Sequence, residues 1–222
     1  MLGGGGCIPA TKEYLKGIQE FVHRNKSLFI LDEIVTGFRF RYGCLYPTMK
    51  LDPDIVTLGK IAGGGMAIGI LCGKKEIMEY ADTTGKKKSE RSYIGGGTFS
   101  TNPTSMTSGY ATLNYLKTKK STYQKINSLG DYTRKELERV FDGKVIVTGK
   151  GSLFMTHFIK NGMTEITNST DVAKCDSKML QKYHFKMISQ DGIFFLPGKL
   201  GAISISHSKE DIKKMIQASE NF

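Results

Sequence analysis

Ser27-Leu28-Phe29-Ile30-Leu31-Asp32-Glu33 and Asp54-Ile55-Val56-Thr57-Leu58-Gly59-Lys60 decide the fold. In each, a short run of apolar and β-branched residues is closed by a charged one. Runs of that length, apolar on both faces, read as strands buried inside a parallel sheet. Just upstream, Tyr14, Leu15, Ile18, Phe21 and Val22 fall at helical spacing, which predicts a helix over 11–24 with Thr11 as its N-cap. Ala67 to Cys72 reads as a third strand and Lys74 to Tyr80 as a short helix. Helix and strand alternate through this part, which predicts a parallel α/β sheet.

The second half reads differently. Asp82 to Gly97 is polar, lysine-rich and ends in glycines, the composition of a loop. Pro103 to Leu116 is a helix rich in small residues, and Ser121 to Phe141 is a long amphipathic helix. Strands are expected over Lys144–Thr148 and Leu153–Ile159, a helix over Asp176–Gln190, and a strand pair at Ile193–Leu196 and Ala202–Ile205. A last helix starts at Lys209. The expected division falls near residue 120: an α/β part over 1–120 and a smaller α+β domain over 121–222.

Composition removes several function classes. The longest apolar runs fall far short of the roughly 20 residues a membrane span needs, and the residues after Met1-Leu2 are four glycines, unlike a signal peptide. The expectation is therefore a cytoplasmic protein without membrane partners. The four cysteines, Cys7, Cys44, Cys72 and Cys175, stand far apart, and no Cys-x-x-Cys pair occurs. Free thiols are expected, not a zinc or dithiol site. His23, His157 and His184 share no metal-ligand spacing, so no metal is assigned. Net charge is +11, which can attract anions. The densest basic run, Lys86-Lys87-Lys88 with Arg91, has no interleaved aromatics to stack bases, and nucleic acid is not expected as a partner.

Two residues stand where chemistry is expected. Asp32 and Lys60 close two apolar strands, and in open α/β sheets ligands bind beyond such strand ends. Glycines follow both: Gly37 after Asp32, and Gly63-Gly64-Gly65 after Gly59-Lys60. Glycine lets backbone turn tightly or approach a ligand. The plain alternatives are a strand-end cap for Asp32 and a lysine reaching solvent for Lys60.

Longer motifs carry a resemblance. Asp32-Glu33-Ile34-Val35-Thr36-Gly37-Phe38-Arg39, Pro53-Asp54-Ile55, Leu58-Gly59-Lys60-Ile61-Ala62-Gly63-Gly64-Gly65 and Gly96-Gly97-Thr98-Phe99-Ser100-Thr101-Asn102-Pro103 occur in that order. Together they resemble the core signature of class-III aminotransferases. Gly149-Lys150-Gly151-Ser152-Leu153-Phe154 and Ser204-Ile205-Ser206-His207-Ser208-Lys209-Glu210-Asp211-Ile212 resemble small-domain segments of the glutamate-1-semialdehyde aminomutase branch. The resemblance implies the pyridoxal-phosphate-dependent transferase fold of type I, aspartate-aminotransferase-like. Residues 1–120 would be the C-terminal part of the cofactor-binding large domain and 121–222 the small domain.

It also implies roles. Lys60 would be the lysine that condenses with the aldehyde of pyridoxal 5'-phosphate and later shuttles a proton. Asp32 would face the pyridine nitrogen, Ile34 one face of the ring. Thr98, with the amide of Phe99, would hold the phosphate, in this family across a dimer interface. His207 reads as structural, and Arg39 either as a clamp for a substrate carboxylate or as a structural salt bridge. The implied reaction is amino-group transfer on a small amino compound. Thr36-Gly37-Phe38-Arg39 after Asp32 and the tail from Ser204 to Ile212 favour the intramolecular transfer of the aminomutase branch. Pro197-Gly198-Lys199-Leu200-Gly201 holds no acid where aminomutases carry a Glu-Ala pair, and the lysines of 82–97 replace the branch's apolar gating loop. Both departures keep a transaminase on another amino acid or amino-sugar precursor in view. The resemblance covers the C-terminal half of the family's length. That leaves three expectations for the chain: a non-catalytic fragment, a split product completed by a partner chain, or a decayed gene product; the cross-interface role of Thr98 implies a homodimer.

Overall fold

The computed structural model describes residues 1, 3–92, 97, 100–119, 121–160 and 162–222. The chain forms two compact units, Thr11–Lys120 and Ser121–Phe222 with Met1–Ala10.

The first unit opens with α1 (Lys12–Arg24), where the Thr11 side chain accepts the Tyr14 amide. Strands β1 (Ile30–Asp32), β2 (Ile55–Gly59) and β3 (Gly69–Gly73) form a sheet in that order. β1 and β2 run parallel, pairing Ile30 with Ile55 and Asp32 with Thr57. β3 runs antiparallel to β2, from Ile55 opposite Gly73 to Gly59 opposite Gly69. The expectation of an all-parallel sheet is thus corrected. A parallel return needs a crossover of a dozen or more residues, and the glycine-rich turn through Gly64 (φ +60°) and Gly65 (φ +95°) is too short to provide one. β1 also departs from the buried strand expected: its own residues are exposed or half-buried, and Phe29 just before it is buried while Leu28 and Ile30 are exposed. It is an edge strand among the described residues, with one neighbour only. The unit continues with α2 (Lys75–Met78) and α3 (Pro103–Thr118), the latter capped by Asn102, whose Oδ1 accepts the amides of Thr104 and Ser105.

In the second unit, α4 (Ser121–Phe141) packs on the hairpin of β4 (Val145–Lys150) and β5 (Leu153–Phe158). Short α5 (Ser169–Lys174) and then α6 (Ser177–Ser189) follow, with β6 (Gly201–Ala202) pairing to Leu153 and Phe154, and α7 (Lys209–Glu220) last. The core is aromatic. Phe141, Phe158, Tyr183 and Phe222 meet largely edge to face, with centroids 5.2 Å apart for Phe141–Phe158 and 5.3 Å for Tyr183–Phe222. Such pairs are each worth about 0.5–1.5 kcal/mol beyond their area. The buried Tyr183 hydroxyl is satisfied by Ser219 Oγ at 2.7 Å. Of the expected strand pair only Ala202 lies in a strand, the two-residue β6. At Ile193–Leu196 the backbone instead binds α6 through the Ile193 amide and Met187 carbonyl, and Phe195 stacks on His184 at 4.6 Å. α5 was not foreseen.

Met1–Ala10 lies with this second unit, where the sequence reading placed it in the first. The reason is packing. Cys7 is fully buried, Ile8 joins a cluster with Ile166 and Cys175, and the Gly6 carbonyl accepts from Thr148 Oγ1 and faces His157 Nε2 at 3.1 Å.

Candidate functional site

Asp32 and Lys60 come to the same end of the parallel β1–β2 pair. The register sets Asp32 directly beside Thr57, and Lys60 follows β2 immediately. One carboxylate oxygen of Asp32, Oδ1, accepts the Ile34 amide at 2.8 Å and the Thr57 hydroxyl at 3.2 Å. The first of these bonds folds the chain back two residues on, as aspartates do at turns. Oδ2 has no hydrogen bond or ion pair among the described residues. Asp32 is exposed, so this oxygen is free to accept a proton donor from outside the chain.

Ile34 is drawn to the same place. A Cβ built on Gly59 would lie 3.5 Å from Ile34 Cγ2 and 3.1 Å from the Ile68 carbonyl. Ile34 thus sits against the backbone that leads into Lys60, and glycine at 59 spares the Ile68 carbonyl a tight contact. Lys60 itself is exposed and left-handed, with φ +48°. For a residue with a Cβ that conformation costs on the order of 1–2 kcal/mol, and strain of this kind gathers at functional sites. Its Nζ makes no hydrogen bond or ion pair among the described residues. Lys60 and Asp32 share an end of the sheet without forming an ion pair.

Several residues fix this arrangement that sequence reasoning did not single out. Lys60–Gly63 is a turn of 3-10 helix held on the small-residue face of α3. There Ser108 Oγ donates to the Gly64 carbonyl at 2.6 Å and Ser105 Oγ to the Ala67 carbonyl at 2.9 Å. Gly109 faces the Ala62 carbonyl so closely that a Cβ would collide with it. Glu33 is buried, and its carboxylate accepts the amides of Leu45 and Tyr46 at 2.7 Å each and the Thr36 hydroxyl at 3.0 Å. It thereby ties the loop after β1 to the sheet. Gly37, seen in the sequence as a flexible turn, is instead required because a side chain there would run into Leu58 and the Glu33 carbonyl.

Asp54 anchors the start of β2. Its carboxylate accepts the Phe29 amide at 2.7 Å and faces His23 Nε2 and Lys74 Nζ at 2.8 Å each. Burial alone would raise its pKa, but the hydrogen bonds from Lys74, Phe29 and His23 outweigh burial and hold it down at about 2. The same bonds, to Asp54 and Asp52, raise Lys74.

Thr98 and Phe99, the phosphate candidates, lie outside the described residues. Their motif ends in the Asn102 cap of α3. Arg39 is engaged by the surrounding structure, its amide bonded to the Thr36 carbonyl. His207 lies in the second unit, where Nδ1 accepts the Ser204 amide at 3.0 Å and closes a turn. No cluster of three or more metal-ligating side chains occurs among the described residues, and no described helix is long and apolar enough to cross a membrane. Clefts of about 730, 460 and 310 Å³ lie in the second unit, and none of the three is lined by Asp32, Ile34 or Lys60. That of 310 Å³ is walled by Gly4–Gly6 and buried His157. That of 730 Å³ is walled by the exposed Phe194 and Leu196. Cleft size alone would have pointed away from the strand-end residues.

The family model of class-III aminotransferases matches residues 1–217. A glutamate-1-semialdehyde 2,1-aminomutase of Staphylococcus epidermidis is 35% identical over 224 residues, which covers 99% of this chain and 50% of that protein. Among solved structures, a β-phenylalanine aminotransferase from Variovorax paradoxus superposes with a TM-score of 0.84 at 26% identity, over 98% of this chain and 49% of that one. A transaminase solved with pyridoxal phosphate bound gives 0.79 at 25% identity, over 96% of this chain and 48% of that one. The chain spans about half the length of the curated relatives it matches.

Proposed function

This chain belongs to the class-III aminotransferase family, and from that we propose that Lys60, Asp32 and Ile34 are its cofactor-binding residues, in a protein that transfers amino groups with pyridoxal phosphate. The observation that carries the reading is the meeting of a free lysine amine, a half-free carboxylate and Ile34 at one strand end. The donor set fits the cofactor. Asp32 Oδ2 is open to a protonated ring nitrogen, Ile34 offers an apolar flank, and Lys60 Nζ is open to an aldehyde. When bound, pyridoxal phosphate supplies that aldehyde and a ring that withdraws electrons from the substrate carbon. Asp32 holds the proton on the ring nitrogen, because a carboxylate beside a cation favours the charged form. Lys60 would hold the cofactor through its aldehyde, and its Nζ, when free, would carry a proton from the substrate carbon to a neighbouring one. Thr98 and Phe99 are proposed for the phosphate on the strength of their motif.

The preferred reaction is that of glutamate-1-semialdehyde 2,1-aminomutase: the amine moves to the neighbouring carbon of one molecule, giving 5-aminolevulinate. It is an isomerisation, so no outside oxidant or reductant enters. Identity of 35% across nearly the whole chain supports it. A second reading, transamination of another amino acid or amino-sugar precursor, is favoured by Pro197–Gly201, which has no acid, and by the lysine-rich 82–97. We take Thr11–Lys120 as part of the cofactor-binding large domain and Ser121–Phe222 as the small domain. Homodimerisation, or a partner chain bringing the other half of the family's length, would complete the site. A chain that is only a non-catalytic fragment is the outcome to be excluded.

The test mixes the purified chain with pyridoxal phosphate, reduces it with borohydride and maps the pyridoxyl label by peptide mass. A visible absorbance band, with label confined to Lys60 and lost in Lys60→Ala, is expected. Label scattered over surface lysines would sink the claim that this chain builds the site by itself.

A further inference from the structure

We infer that Thr57 is a positioning residue for Asp32, and that its hydroxyl determines which carboxylate oxygen Asp32 offers to the cofactor. The inference rests on the cofactor reading above and goes one residue beyond it. β2 reads Ile55-Val56-Thr57-Leu58-Gly59, so Thr57 is the one residue of the strand with a polar side chain. The sheet does not need a hydroxyl there. Valine or isoleucine has the same branched shape and suits a strand equally well. The hydroxyl stands where the parallel register places it, directly beside Asp32, with Oγ1 3.2 Å from Asp32 Oδ1.

The same oxygen takes the Ile34 amide at 2.8 Å. One donor on Oδ1 would leave an exposed carboxylate able to turn about its side-chain torsions. Two donors converging on that oxygen, one from the loop and one from the neighbouring strand, fix the carboxylate plane. Oδ2 is then presented in one direction. Hydrogen bonds to an ionised acceptor are stronger than neutral ones, and a site group held by its neighbours loses no freedom on binding. Thr57 touches neither substrate nor reacting atoms in this account and acts only through Asp32.

The experiment compares the full chain with Thr57→Val, which keeps the shape and loses the donor, and Thr57→Ser, which keeps the donor. In cofactor-free, isotopically labelled protein, the Ile34 amide resonance is expected to move in Thr57→Val and to return in Thr57→Ser. Titration with pyridoxal phosphate is expected to show affinity about tenfold weaker in Thr57→Val, restored in Thr57→Ser. A purely structural role would change the melting temperature and leave both readouts in place. An unmoved Ile34 amide in Thr57→Val overturns the inference, whether or not the chain binds cofactor. So does unchanged affinity in a protein whose wild type labels at Lys60. Failure of the wild type to label at Lys60 overturns the functional reading instead, and the amide result still decides the contact between Thr57 and Asp32.

Discussion

Acidification from about pH 4 to 2 should loosen the strand that leads into Lys60, and Asp54 is the group responsible. Asp54 joins three elements: the Phe29 amide next to β1, His23 of α1, and Lys74 at the end of β3. Its pKa falls from 3.8 to about 2, against the effect of its own burial. A carboxylate depressed on folding stabilises the folded state above its unfolded pKa. That contribution disappears as the pH falls from about 4 through 2. A depression of this size corresponds to about 2 kcal/mol, taken at face value because the Asp54 side chain is only 9% exposed. Asp54→Asn keeps the shape but leaves Lys74 without its partner at this position. The cost should reach about 2–3 kcal/mol at neutral pH, toward the low end for a broken buried pair because Lys74 is partly exposed. With two units in the chain, a global melt would mix their transitions. Amide exchange at Phe29 and Asp54, both bonded in this network, isolates the effect. Protection at both should fall between pH 4 and 2 in the wild type, and should be lower and flat with pH in Asp54→Asn. Equal protection and an equal pH slope in the two proteins would refute the reasoning.

Two other outcomes are expected. Gly109→Ala should destabilise the first unit by about 1–3 kcal/mol, because its Cβ collides with the Ala62 carbonyl in the turn after Lys60. Gly17→Ala, in open space on α1, should instead stabilise by up to about 1 kcal/mol; denaturant midpoints of the pair check the contrast. In the second unit, burial pushes His184 down to about 4, and its Nδ1 must keep a lone pair to accept the Gly198 amide. The unfolded chain takes up this proton first, so stability should fall by up to about 3 kcal/mol as the pH drops from 6.5 to 4. Amide exchange in α6 measures it, and His184→Gln should abolish that part of the slope.

What the sequence determined by itself was local or one-dimensional. Helical spacing with a side-chain cap placed α1, and the amphipathic period of Ser121–Phe141 placed α4, because such patterns depend on neighbours within a turn or two. The apolar run of Ile55–Gly59 and the charged residues that close the strands could be read the same way, as could the ordered motifs that carry the family. Tertiary structure decided what depends on residues far apart in the chain. The sheet's mixed direction follows from a turn too short for a crossover. The three-residue length of β1 follows from its register on β2, which pairs only Ile30 to Asp32. Met1–Ala10 joins the second unit because Cys7 and Ile8 find their core there. Ile193–Leu196 is an apolar run like that of a strand, yet in the fold Phe195 is buried and stacks on His184. In the sequence Glu33 is only the charged close of a strand, and only the fold turns it inward to hold two amides and a hydroxyl. Thr57 looked like any β-former until the register set its hydroxyl beside Asp32. A one-residue shift between β1 and β2 would have put that hydroxyl on the other face of the sheet, and no local pattern records the difference.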